Sequence, residues 1–133
     1  MRNVTIRNSR LDGTNLAVRI KSMRGRGGGV EDVLYENLEG KATSGIQLTL
    51  NYHTGTPPTN NTATPVLRRI TIRNITVKTS DSFLECQGLS DSIIQDISFE
   101  DVTITGSDKQ SCAFCEIAAT GGSSPLPGKG ELI

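Results

Sequence analysis

Tryptophan is absent from this 133-residue chain, and aromatic residues make up only 4% of it. A core without bulky rings has to be built from thin layers of Val, Ile and Leu. An excess of either charge is also missing. Fourteen Lys/Arg balance 14 Asp/Glu, which argues against bulk attraction to nucleic acid or to a membrane surface. No run of about 18 apolar residues occurs, so no membrane-spanning helix is expected. No stretch of about ten residues shows the i, i+3, i+4, i+7 apolar spacing with caps that a helix needs. Cysteine is scarce and odd in number: Cys86, Cys112 and Cys115. The Cys112-x-x-Cys115 pair has no second pair, and the single histidine, His53, lies far away in sequence, so a zinc site is not supported. A thioredoxin-like use of the pair would need a βαβ context that the pattern does not provide. What remains is a disulfide near the C-terminus or buried free thiols. No cofactor or metal is expected. No signal peptide is expected either, because Met1 leads directly into a strand-like run.

What is present is a repeat. Arg2-Asn3-Val4-Thr5-Ile6-Arg7-Asn8 returns as Glu31-Asp32-Val33-Leu34-Tyr35-Glu36-Asn37. It returns again as Arg68-Arg69-Ile70-Thr71-Ile72-Arg73-Asn74, and then as Gln95-Asp96-Ile97-Ser98-Phe99-Glu100-Asp101. Each copy alternates apolar and polar residues, the pattern of a half-buried strand. Val4 to Val33 is 29 residues, Val33 to Ile70 is 37, and Ile70 to Ile97 is 27. A motif recurring at this period marks a solenoid. With strands and no helices, the expected fold is all-β: a right-handed, single-stranded parallel β-helix in which each turn stacks its strands on the last. Further strands are expected at Leu16 to Ser22, Gly45 to Leu50 and Ser82 to Cys86. The whole of 1–133 reads as a single domain with an irregular tail from about 118. Asn3, Asp32 and Asp96 before the strands, and Asn8, Asn37, Asn74 and Asp101 after them, are placed to ladder and cap the turns.

The sharpest functional signal is Arg19-Ile20-Lys21. On a strand, Arg19 and Lys21 project from one face while Val18 and Ile20 turn to the other. A planar guanidinium and a compact ammonium held side by side suit a carboxylate ligand. The glycine-rich turn at 24–29 follows immediately and permits close backbone approach. It is a single short copy without aromatics, so it does not read as a nucleic-acid segment. The longest interval between copies contains a Pro/Thr/Asn-rich loop, 52–65, of the kind that leaves a solenoid edge to line a binding face.

The combination of RIKS, the Arg-Gly-rich turn, VEDVLYENL and LTLNY before a Pro/Thr loop resembles glycoside hydrolase family 28, the polygalacturonases and related pectin-degrading enzymes. The resemblance runs from about Met1 to Leu126. It implies a right-handed parallel β-helix, an extracellular location and acidic polysaccharide (pectin, galacturonan) as partner. It also implies that Arg19 and Lys21 contact the carboxylated sugar near the cleavage site and that Tyr52 contacts substrate. The three Asn-x-Thr sequons, at Asn3, Asn60 and Asn74, add little to the case for secretion.

Family members hydrolyse α-1,4 galacturonosyl bonds with inversion, which calls for carboxylates about 6.5–9.5 Å apart. Their aspartates lie in Asn-Thr-Asp and Asp-Asp segments, followed by Gly-His-Gly, all ahead of the RIK strand. None of these motifs is found here. The pairs Glu31/Asp32 and Glu100/Asp101 are adjacent, would point to opposite faces, and read as solvated strand-end acids. No catalytic residue is assigned. The expectation is a β-helix truncated at its N-terminal end, with part of the cleft and without hydrolytic power of its own. The alternatives are a non-catalytic acidic-polysaccharide-binding module and an incomplete gene product. An open first coil would also expose unpaired backbone around Val4 and Ile6 and favour self-association.

Overall fold

The computed structural model describes residues 1–23, 25, 28–51 and 64–128. Its strands are β1 (Arg2–Lys21), β2 (Gly29–Thr49), β3 (Val66–Lys78), β4 (Ser82–Gln87), β5 (Ile94–Thr105), β6 (Gln110–Ala113) and β7 (Cys115–Thr120). All pair in parallel. β2 takes β1 along its length, then β3 and β4 on its other edge; β5 follows β3, β6 follows β4, and β7 follows β5. A long strand that serves successive neighbours along its length, each a full turn later in sequence, is a coil of a parallel β-helix. The expected all-β solenoid is the fold observed.

The coils before β7 have a first, a second and a third strand segment, and the repeat read from sequence is the register itself. Val4 pairs with Val33, Val33 with Ile70 and Ile70 with Ile97. These side chains turn inward, as do Tyr35, Ile72 and Phe99 two positions on, and from Val33 onward all are buried. The second segments contribute Leu38, Ile75 and Val102, and the third segments Val18, Ile46 and Leu84. Three of the scarce aromatic residues, Tyr35, Phe83 and Phe99, belong to the buried core. Phe83 and Phe99 are fully buried and meet edge to face, centroids 6.4 Å apart at 80°. That geometry brings a positive ring edge to a negative ring face. Cys86 and Cys115, 29 residues apart, form a disulfide. Cys112, in register with Cys86, remains a free thiol, its pKa pushed up by burial.

Corners between segments need a left-handed residue, and Asn and Asp adopt it most easily after Gly. One column of positive-φ residues is Asn3, Asp32, Arg69 and Asp96; the next is Asn8, Asn37, Asn74 and Asp101. In the second, the Nδ2 of Asn37 donates to the Oδ1 of Asn8 (2.9 Å), and the Nδ2 of Asn74 donates to the Oδ1 of Asn37 (2.6 Å). Asp101 ends the ladder because a carboxylate has no proton to pass on. It accepts instead from the Gly122 amide at 2.8 Å, which ties down the tail after β7. Gly40 shows what these corners demand: at φ 132°, a Cβ would overlap the Leu11 carbonyl oxygen.

Charges on the outer wall alternate from coil to coil. Arg2 (2.7 Å) and Arg68 (2.8 Å) flank Glu31, and Arg69 reaches it at 2.5 Å. Arg69 also grips Asp32 (2.7 Å), which repays its strained φ of 57° at a position where the other coils place Asn or Asp. Arg73 lies between Glu100 (2.6 Å) and Glu36 (3.9 Å). Glu31 is therefore no solvated strand-end acid: only 9% of it is exposed, and it is enclosed by guanidinium groups. These contacts assign Glu31, Asp32 and Glu100 to the wall, while Asp101 stays in the corner column.

Candidate functional site

The third segments stack into an open sheet. Val18, Ile46 and Leu84 fill one inward column, and Ile20, Leu48 and Cys86 the other. Strand alternation then turns Arg19 and Lys21 outward together, and both are exposed. Arg19 registers with Gln47, then Glu85, then Ser111; Lys21 registers with Thr49, then Gln87, then Ala113. Arg19 and Lys21 each have an interaction partner within the protein. The Nε2 of Gln47 donates to Glu85 at 2.8 Å, and the Nε2 of Gln87 to the Ser111 hydroxyl at 3.0 Å. The Oε1 of Gln47 is buried and accepts no hydrogen bond.

Beside Lys21 a small cleft of about 110 Å³ opens between Ser22, Gly29, Val30, Leu50 and Pro65. Gly25 (φ 96°) and Gly28 (φ 70°), within the glycine-rich turn, adopt backbone conformations that a side chain would disfavour. A larger hollow, about 330 Å³, follows the asparagine ladder at the corner between first and second segments, where Arg10 and Glu39 lie in register. Tyr52 and His53 lie outside the described residues. Among the described residues no group of three or more His, Cys, Asp or Glu side chains is placed to hold a metal ion. No helix there is long and apolar enough to cross a membrane.

Sequence reasoning found the cation pair but not its neighbours. Gln47 and Glu85 carry no motif of their own. They become visible only once the register stacks Gly45 to Leu50 and Ser82 to Gln87 on the Arg19 strand. Aligning those third segments by their apolar alternation is the signal that would have found them.

Stacked coils with one exposed polar sheet face, carrying Arg19 and Lys21 at one end, define a parallel β-helix protein. Comparison with known proteins makes this specific. The family described as glycosyl hydrolases family 28 matches residues 1–123, and the chain belongs to that family. It is 33% identical over 115 residues to endopolygalacturonase II of Aspergillus niger, covering 82% of this chain and 31% of the relative. Against endopolygalacturonase II of Aspergillus awamori and the probable endopolygalacturonase II of Aspergillus kawachii it is 33% identical over 117 residues, covering 84% of this chain and 32% of each relative. The chain thus spans about a third of the length of the curated relatives it matches. No solved structure matches it at a significant level.

Proposed function

We propose that this chain supplies the carbohydrate-binding face of a polygalacturonase-type glycosidase. It binds acidic pectic polysaccharide outside the cell and does not cleave it alone. The observation that carries the reading is the placement of Arg19 and Lys21 side by side on the exposed face of one strand, with Val18 buried behind them. A galacturonate chain offers a carboxylate on each sugar, and the fork meets it with a planar donor set and a point charge. Tyr52, three residues beyond the end of β2 in sequence, adds a ring against a sugar face in this proposal. The acids nearest in type to a catalytic pair, Glu31/Asp32 and Glu100, are engaged by arginines on the outer wall. Purified chain titrated with oligogalacturonide tests the binding. Saturable heat that vanishes in the R19A/K21A double variant is the expected result, with no new reducing ends on prolonged incubation. Turnover that disappears on a single Asp or Glu substitution would overturn the non-catalytic part.

A second element of the proposal concerns the first coil. Among the described residues β1 pairs only with β2, and Ile6 is 38% exposed although Tyr35, Ile72 and Phe99 in its inward column are buried. In this proposal the isolated 133-residue chain self-associates through the exposed edge of β1, since unpaired strand edges recruit further strands. Sedimentation should show mass rising with concentration; a monomer at high concentration would count against it.

A further inference from the structure

Along the outward column of the third segments the charge reverses. Arg19 is positive, Gln47 neutral and Glu85 negative, in register on successive coils. Two strand spacings, about 10 Å, separate the cation from the anion. Glu85 is exposed, and its hydrogen bond within the chain comes from Gln47 at 2.8 Å. Among the described residues no Lys or Arg is ion-paired with it, whereas Glu31, Asp32, Glu36 and Glu100 on the outer wall each meet an arginine. The Gln47 amide is oriented by this carboxylate. Turning it round would set its Oε1 against the Glu85 Oε2, two acceptors together. The observed orientation keeps the donor on Glu85 at the expense of an Oε1 that finds no partner.

We infer that this face selects a pectic segment of mixed charge: a free carboxylate on the sugar over Arg19 and Lys21, and an esterified or neutral sugar over Glu85. The inference rests on reading the Arg19/Lys21 pair as the carboxylate contact. A polymer lying along the stack meets attraction at the first coil and repulsion at the third. A methyl ester removes the repelled charge and leaves the sugar otherwise the same. Glu85 is then a specificity-determining residue, with Gln47 as the residue that positions it.

The test is calorimetric titration of the full chain at low salt with two oligogalacturonide pools of equal length, one fully de-esterified and one partially methyl-esterified. The native chain should bind the partially esterified pool about two- to fivefold more tightly, the range of an exposed charge interaction. Glu85→Gln keeps an acceptor for Gln47 and removes the charge. It should erase the preference by gaining affinity for the de-esterified pool alone. Added salt should narrow the native preference in the same way. An E85Q chain with the native preference overturns the inference, as does a native chain that favours the de-esterified pool. If R19A/K21A abolishes binding of both pools while E85Q changes nothing, the fork reading stands and the Glu85 inference falls. If the native chain binds neither pool, both fall.

Discussion

The outer wall and the third-segment face share one core and differ in what they point at solvent. On the wall, stacked neighbours complement each other. Arg2, Glu31 and Arg68 alternate in sign, as do Glu36, Arg73 and Glu100, and the asparagines of the corner column bond coil to coil. On the third-segment face the column reads Arg19, Gln47, Glu85, Ser111, and its charges are left without that alternation. Stacking alone would favour a ladder everywhere, because each coil sets its neighbour's side chain a strand spacing away. Where the ladder is complete the wall is holding the solenoid together. Where it lapses, Arg19 and Glu85 stand two coils apart with the neutral Gln47 between them, and the stacking pattern alone does not account for that arrangement.

The largest separation between the two regions should come from the core beneath the wall. Phe99→Ala removes a fully buried ring and its edge-to-face partner contact with Phe83. It should lower unfolding free energy by about 3–5 kcal/mol, measured by denaturant titration followed by far-UV circular dichroism. Next is the corner ladder. Asn37→Ala loses both side-chain hydrogen bonds and places a Cβ-bearing residue without local compensation at φ 58°. A loss of about 2 kcal/mol is expected. Asn37→Gly relieves the backbone and loses only the bonds, so it should recover about 1 kcal/mol of that. Equal losses in the two variants would show that the left-handed corner contributes nothing.

Acid should attack the wall in particular. Hydrogen bonds from Arg68, then Arg2, hold the Glu31 carboxyl below its ordinary 4.5 against the opposing effect of burial. The Arg69 guanidinium does the same for Asp32. Groups with folded pKa values below the unfolded ones stabilise fully above the unfolded pKa, and that contribution is lost as pH falls through the folded value. The thermal midpoint should therefore hold steady down to about pH 4.5 and fall steadily below it. Glu31→Gln should start from a lower midpoint at neutral pH and show a flatter acid limb. An unchanged acid limb would mean that the Arg2–Glu31–Arg68 column contributes no stability.

The inward columns were legible because alternation has a fixed period and the spacings of 29, 37 and 27 residues are the register. The final copy was not. Ile117 pairs with Ile97 only 20 residues on, and β7 offers Ala118 and Ala119 where earlier copies have larger side chains. The strand pairing nevertheless continues to Thr120, and the irregular tail begins at Gly121. The disulfide was hidden for a different reason. Register sets Cys112 beside Cys86, yet the bond joins Cys86 to Cys115, 29 residues on. Glu31 looked solvated because its partners, Arg68 and Arg69, lie a coil away and are adjacent only once the stack forms. At the site, the fork was visible as a local i, i+2 pair, whereas Glu85 needs two coils of register to be found.

The smallest stability effect belongs to the residues given the largest functional role. Arg19 and Lys21 are exposed, and Val18 and Ile20 behind them carry the burial of that strand. Each makes an interaction within the protein, but contacts of exposed cations contribute about 0–1 kcal/mol. The R19A/K21A double variant should accordingly unfold within about 1 kcal/mol of the parent chain while losing its affinity for oligogalacturonide. The converse holds for Asn37→Ala, which should bind normally under conditions where it is folded. If the double variant instead proves as unstable as the Asn37 variant, the fork is part of the scaffold. The lapse in the ladder would then have to be explained without a ligand. A strong loss of binding at little loss of stability is the pattern that separates a face kept for a partner from a wall kept for itself.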